Sequence, residues 1–366
     1  MDGPGVNVSG RADPRFAAVR EQFASVIAAQ PGTGAALAVW SGGHLVIDLW
    51  GGHADQGRTR PWAADTLVQP YSVSKPFAAV CALHLAGAGR LDLDAPVQRY
   101  WPEFRAPATV RQVLSHQAGV VALDQPAPTA AFLDWTWLCG LLAAQEPSWP
   151  PGTAHGESAL FYGHLVGELV RRVDGRTPGR YLREEICGPR GLDFAFGLTT
   201  AEQARTADVT GLDDRFRAAG LAGKPELYQR ATSNPPGNLD PAVVNSAAWR
   251  AAEVPAINGH GTARAVAGLY EALATGGLLS PGLLTEATTP QCQGPDRVFG
   301  ADVAWGLGIA VDDDGYGMGG LGGSYGGHSV AGGYSIGFVT GSAGDHDRLE
   351  RLENTVRDGL GLPPLD

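Results

Sequence analysis

The sequence predicts an α/β protein with one antiparallel sheet assembled from both ends of the chain and a helical sub-domain inserted between them. Three observations lead there. Apolar runs of strand length stand near the N-terminus, at residues 35–40 and 44–50, and again near the C-terminus, at 304–311 and 334–340. Between about residues 90 and 290 the apolar spacing is helical, in short segments. An amphipathic helix precedes the first runs and another follows the last, so helices should flank the sheet. The expected division is 1–70 with 295–366 as the α/β part and 71–294 as the mostly helical part.

Taken in order, Asp13-Pro14 followed by Phe16, Val19, Phe23 and Val26 predicts a first helix capped by the aspartate. Ser41-Gly42-Gly43 between the two apolar runs predicts a tight hairpin. Ser72 follows Tyr71 and opens a segment with Phe77, Val80, Cys81, Leu83, His84 and Leu85 at helical spacing, closed by Gly87 and Gly89. That places Ser72 at or near a helix N-terminus, where free N–H groups favour developing negative charge. Further helices are expected over 111–116, 134–144, 159–173 and 262–275, and a last one from about Asp345 to Leu360. The stretch 315–333 is rich in glycine but lacks the spacing and the following helix of a phosphate-binding loop.

The composition excludes several classes. A net charge of −11 argues against nucleic acid as a partner and against an anionic membrane surface. No stretch approaches the ~20 apolar residues of a spanning helix. The opening MDGPGVNVSGRADPRF has neither a basic start nor an apolar run, so no signal peptide is expected. Cys81, Cys139, Cys187 and Cys292 are scattered without a C-x-x-C pair and read as reduced, buried thiols. Together these features predict a cytoplasmic protein. His116, His155, His260 and His328 show no metal-ligand spacing, so neither metal nor cofactor is expected.

The motif that carries chemistry is Ser72-Val73-Ser74-Lys75. A serine hydroxyl is a weak nucleophile at neutral pH and needs a base to take its proton. Residues three apart share a helix face, so Lys75 can reach Ser72. A lysine desolvated beneath apolar neighbours has a lowered pKa and can serve as that base. Lys75 is one of only two lysines in the chain.

Around this motif LVQPYSVSKPF (67–77) resembles the nucleophile region of class C β-lactamases and of the β-lactamase-like serine esterases and transacylases. GRLDLDAPV (89–97), YWPEF (100–104), VRQVLSHQAG (110–119), PGT (151–153), NGHGTA (258–263) and WGLG (305–308) are similar to the same family. The resemblance runs from about residue 30 to 340. It implies a β-lactamase-like fold, like that of penicillin-binding transpeptidases, with the site in the cleft between sheet and helices. It also implies Ser72 as an acyl-accepting nucleophile, and an oxyanion hole formed by the backbone amides of Ser72 and Leu321.

Two family motifs are altered. The family's Tyr-x-Asn falls, in this register, on Glu157-Ser158-Ala159. Tyr162 is the alternative, but five residues along a helix turn it about 140° away. The family's Lys-Thr-Gly, or His-x-Gly in esterases, falls on Met318-Gly319-Gly320. Methionine has no charge and no useful donor, while two glycines still allow close approach of substrate. A tyrosine gives up its proton near pH ~10 and a glutamate near ~4, so Glu157 changes how protons can move. It either favours a charged Lys75 and accepts protons itself, or is pushed by burial toward neutrality.

The expected catalytic residues are therefore Ser72, Lys75 and Glu157. Met318, Gly319, Gly320, Trp305, Arg264 and His260 are candidate substrate contacts, with Trp305 as an apolar wall and Arg264 as a site for an anionic group. The expected reaction is acyl transfer from a small-molecule ester to an amine or alcohol acceptor, in natural-product biosynthesis. Hydrolysis of small esters is the alternative, and an inactive binding module the second. True β-lactamase activity is not expected, because Glu157 and Met318 would bind a penicillin carboxylate poorly.

Overall fold

The structure, a computed structural model, describes residues 7–29, 32–344 and 346–365. The N-terminal part supplies β1 (Val8–Ala12), β2 (Ala35–Ser41) and β3 (His44–Gly51). A separate two-stranded ribbon joins β4 (Phe194–Ala195) to β5 (His260–Gly261). The C-terminal part supplies β6 (Cys292–Pro295), β7 (Asp302–Trp305), β8 (Ala310–Val311), β9 (Gly315–Gly319), β10 (Tyr325–Ser329) and β11 (Tyr334–Thr340). The nine-stranded sheet runs β1-β3-β2-β11-β10-β9-β8-β7-β6, with every neighbouring pair antiparallel. The two ends of the chain meet at β2 and β11, where Val39 lies opposite Ile336.

Side chains alternate across these central strands, because successive Cβ atoms point to opposite faces. Leu37, Val39, Ile336 and Phe338 face α1 (Ala17–Ala28) and the C-terminal helix Asp347–Leu360, packing with Phe23, Leu352 and Val356. Ala36 and Ala38 face the other way, toward the helix Ala263–Ala274. That helix lies close on the sheet because the facing positions are small. A β-carbon on Gly337 would sit 2.5 Å from the Ala263 carbonyl oxygen, and one on Gly326 2.4 Å from the Val266 side chain.

The helices between include α2 (Lys75–Gly87), α3 (Val110–Leu114), α4 (Trp135–Ala144) and α5 (Tyr162–Asp174). From Lys75 to Leu85 every residue of α2 except His84 is buried. A helix apolar on all sides belongs in a core, and α2 fills the space between sheet and helices. Its first residue is the lysine of the S-x-x-K motif.

Several local expectations change. The aspartate cap fails, since Asp13 precedes a 3-10 turn at Pro14–Phe16 and its side chain makes no capping bond. The run 304–311 is broken into β7 and β8 by a turn whose Gly308 has a left-handed φ of 84°. The glycine-rich stretch, for which the sequence predicts no element, supplies two strands, β9 and β10. The edge strand β1 has no strand-like pattern of its own and forms by pairing along β3. The expected start of the last helix, Asp345, lies outside the described residues, as do Met1 to Val6. Cys81, Cys139 and Cys187 are buried free thiols and Cys292 is a half-buried one. No helix among the described residues is long and apolar enough to cross a membrane.

His164 on α5 is fully buried, its ring 4.6 Å from that of Trp135, and neither ring nitrogen has a hydrogen-bond partner among the described residues. Burial pulls its pKa down to about 3, against a smaller opposing pull from Glu168. His260 is lowered to about 3 as well, chiefly by burial. Unfolded histidines bind a proton near pH ~6.5, so as pH falls the unfolded chain takes up protons the native state refuses. Stability present above about 6.5 is thus lost as pH falls toward about 3. His164→Phe fills the same space without titrating, and is expected to move the acid-unfolding midpoint, followed by circular dichroism, to lower pH. An unchanged midpoint would remove His164 from the acid response.

Candidate active site

Ser72 lies in a 3-10 turn, Tyr71–Ser74, that leads directly into α2. The preceding Tyr71 has a φ of 50°, a left-handed conformation that bulky side chains rarely adopt. It is held there by burial and by its hydroxyl, which donates to the Asn238 carbonyl at 3.2 Å. Strained backbone of this kind persists where the surroundings over-determine it.

Lys75 has no exposed side-chain surface. Its Nζ donates to Ser72 Oγ at 2.7 Å and to the Ala256 carbonyl at 3.3 Å, and pairs with Glu157 Oε1 at 2.8 Å. Three acceptors thus match the three hydrogens of an ammonium group. Burial lowers the Lys75 pKa, and the charge and hydrogen bond of Glu157 oppose it without cancelling it. The result is a lysine that gives up its proton more readily than a free one, in contact with a serine hydroxyl.

The end of β9 closes against this turn. A β-carbon on Gly320 would lie 2.0 Å from the Pro70 carbonyl oxygen, so only glycine lets the two segments touch. Leu321 follows, and the amides of Ser72 and Leu321 donate to no protein acceptor among the described residues. Both residues border one cavity of about 850 Å³, which Glu157, Gly319, Gly320 and Gly322 also line. The Glu157 side chain is 12% exposed, so it touches both the buried lysine and the open space.

Ser72, Lys75 and Glu157 are therefore brought together, with Gly319, Gly320 and Leu321 beside them. The other candidates lie elsewhere. Met318 is buried on β9 opposite Gly326 and does not line the cavity. Trp305 is buried behind the site, its ring 4.3 Å from that of His116. His260 is buried in β5 with Nδ1 unpartnered among the described residues, and Arg264 pairs with Asp48 at 3.3 Å. Tyr162 is fully buried and donates to the Leu114 carbonyl at 3.1 Å. The apolar wall comes from residues the sequence reading did not single out: Phe216, Leu221, Tyr228 and Phe299, with Leu160 and Ile257. The first three stand on two helices, Asp214–Leu221 and Glu226–Ser233, whose overall polar composition hides them. A large apolar side chain in an otherwise charged run, as in Asp213-Asp214-Arg215-Phe216-Arg217, is the signal that could have found them.

A family model described as Beta-lactamase matches residues 23–358. The chain is 36% identical over 354 residues to the esterase/beta-lactamase LipL of Mycobacterium tuberculosis, covering 89% of this chain and 81% of the relative. It is 37% identical over 196 residues to the esterase EstB of Burkholderia gladioli, covering 48% of this chain and 49% of that one. Among solved structures, a family VIII carboxylesterase is similar with a TM-score of 0.87 and 35% identity, covering 96% of this chain and 100% of that chain. A penicillin-binding protein homologue from Caulobacter crescentus is similar with a TM-score of 0.86 and 35% identity, with the same coverage.

Intact mass after exposure to an activated ester is expected to show one acyl adduct on the wild-type protein and none on Ser72→Ala. Lys75→Ala is expected to slow acylation by about 10²-fold or more. If the neutral amine takes the serine proton, acylation is expected to rise with pH, with a midpoint below the 10.5 of an ordinary lysine. An adduct on another serine, or a midpoint at or above that value, would contradict the assignment.

Proposed function

The chain belongs to the beta-lactamase family, and we propose that within it the protein is a carboxylesterase. It acts through an acyl-Ser72 intermediate on esters with a bulky apolar part. The observation that carries this reading is the unbroken line of contacts from Ser72 Oγ through Lys75 Nζ to Glu157, ending at the wall of an apolar cavity. Relatives named as esterases over much of the chain support it.

In this reading Ser72 Oγ attacks the ester carbonyl carbon while its proton passes to Lys75. The carbonyl oxygen becomes an oxyanion held by the amides of Ser72 and Leu321. Lys75 or Glu157 returns a proton to the departing alkoxide as the C–O bond breaks, leaving acyl-Ser72 and free alcohol. Water then attacks the acyl group by the same steps reversed, releasing the acid and restoring the serine. The cavity of about 850 Å³ lies in the size range of pockets that enclose drug-sized ligands.

A β-lactam substrate is disfavoured, since the resemblance gives Met318 the register of the β-lactamase lysine, the side chain is buried away from the cavity and offers no cation there, and Glu157 presents a carboxylate. Turnover of a chromogenic cephalosporin is expected to be negligible beside an ordinary enzyme rate of about 10 s⁻¹. Hydrolysis near that rate would overturn this exclusion.

A second reading rests on Glu157 facing the cavity. A carboxylate there attracts an ammonium nucleophile and can take its proton, which would make the protein a transacylase. The resemblance that prompts it is to the capuramycin transacylase, which converts a nucleoside antibiotic's methyl ester to an amide. Leaving-group release and amide formation, followed separately across a panel of amines, discriminate the two. The transacylase reading requires amine to capture the acyl group at concentrations far below the ~55 M of water, because binding raises effective molarity. It also requires Glu157→Gln to depress aminolysis more than acylation. The esterase reading expects acid as the main product across the whole panel.

A further inference from the structure

The short segment that carries Glu157 is fixed by its backbone. Three successive amides each find an acceptor from a distant part of the chain. Gly156 N–H donates to the His116 carbonyl at 3.0 Å, Glu157 N–H to Asp296 Oδ2 at 2.8 Å, and Ser158 N–H to His116 Nδ1 at 3.2 Å. The Ser158 hydroxyl adds a bond to the Val120 carbonyl at 3.0 Å.

Both acceptor residues are unusual. His116 is a buried residue with a φ of 60°, its ring 4.5 Å from that of Tyr162 and 4.3 Å from that of Trp305. The bond from Ser158 assigns the imidazole proton to Nε2, which has no partner among the described residues. Burial first, then the charges of Lys75 and His155, hold its pKa well below the usual histidine value. The ring therefore stays neutral and Nδ1 remains free to accept. Asp296 is 3% exposed and makes no ion pair among the described residues. Its Oδ1 accepts from Val298 N–H at 2.8 Å and Phe299 N–H at 2.9 Å, and its Oδ2 accepts also from Trp305 Nε1 at 3.4 Å. A buried carboxylate with no cation is costly unless its hydrogen bonds are complete.

We infer that His116 and Asp296 are positioning residues whose task is to aim the Glu157 carboxylate at Lys75 Nζ. They touch no reacting atom. The inference rests on the reading of Ser72, Lys75 and Glu157 as a proton path, and it explains why one short segment receives both a strained histidine and an unpaired buried aspartate.

The test reads Lys75 directly. The chain has two lysines, so lysine labelled with ¹³C at Cε gives two signals, and Lys224→Arg identifies which is Lys75. The charge that reaches Lys75 is that of Glu157, ahead of α5; His116, after α3, faces Lys75 and His155 but stays neutral. Glu157 raises the Lys75 pKa, so removing or displacing it moves the titration to lower pH. Glu157→Gln sets the size of that shift. His116→Leu, which loses the Nδ1 acceptor, is expected to shift Lys75 in the same direction and by comparable size. His116→Asn keeps an acceptor near Nδ1 and tolerates the positive φ, and is expected to titrate like wild type. In the Glu157→Gln background His116→Leu should add no shift, as coupled residues are non-additive. Acylation rates should show the same non-additivity, with KM little changed. Should His116→Leu fail to fold by circular dichroism, Asp296→Asn replaces it in the same cycle. Equal shifts in both backgrounds, or His116→Asn behaving like His116→Leu, overturn the inference. Absence of any acyl-Ser72 adduct in the wild type instead sinks the esterase reading, while the titration cycle still decides the positioning role.

Discussion

An ammonium group sealed from water must have every hydrogen accepted, and Lys75 imposes that demand on three separate segments. The turn 71–74 brings Ser72, the segment ahead of α5 brings Glu157, and the loop before β5 brings the Ala256 carbonyl. That loop is itself braced. Asn258 accepts from Val254 N–H at 2.7 Å and donates to the carbonyls of Trp249 and Ala252, and Gly259 N–H donates to Ser74 Oγ at 3.0 Å. Gly259 has no room for a side chain, since a β-carbon would lie 2.4 Å from the Phe194 ring. The Asn-Gly pair at 258–259 thus serves the lysine, although neither residue touches it. Removing one partner of a buried ion pair typically costs about 3–5 kcal/mol, so the site and the fold share these contacts.

In the proposed mechanism the same burial supplies reactivity. In water the amine would stay charged at neutral pH, with no lone pair to take a proton from serine. In the core at the start of α2 desolvation disfavours the charge, and Glu157 restores only part of what is lost. Stability and basicity therefore pull in opposite directions at one atom, and the distance of 2.8 Å to Glu157 sets the balance. This is why the aim of Glu157 matters more than its mere presence, and why rigid backbone bonds on both sides of it have chemical value.

Much of this was legible in the residues. The three-residue spacing of Ser72 and Lys75 is a local geometric statement, and it places the two side chains in contact. Alternating apolar runs marked β2, β3 and β11, because each has one face on each core. Glu157 came from register within a resemblance, and it stands against the lysine. What escaped notice depends on distant pairing. β9 and β10 carry glycines because a helix and a neighbouring ring press on them, as at Gly326 and Gly317, and glycine read along the chain signals a loop. Trp305 and His260 flank matched motifs but are used from behind, as packing. The apolar wall of the cavity is spread over helices that look solvated, since the cavity they cover is open space rather than core.

A glutamate at 157, where the resemblance implies a tyrosine, gives these observations a common cause. A phenol is long, neutral and rigid, and can meet a lysine from a loosely held segment because no charge has to be matched. A glutamate is flexible and, when ionised, must be kept near its counter-charge and away from alternative partners such as water in the cavity. Anchoring three consecutive amides removes the backbone freedom that would let the carboxylate turn outward. The anchors are themselves polarised to suit. A neutral imidazole accepts without adding positive charge near Lys75, and Asp296 has both oxygens occupied by backbone and indole donors. A protonated histidine at 116 would lose its acceptor and repel the lysine in one step. The burial that keeps it neutral is thus of a piece with the burial that lowers the Lys75 pKa, and both follow from packing α2, α3 and α5 around one dry lysine.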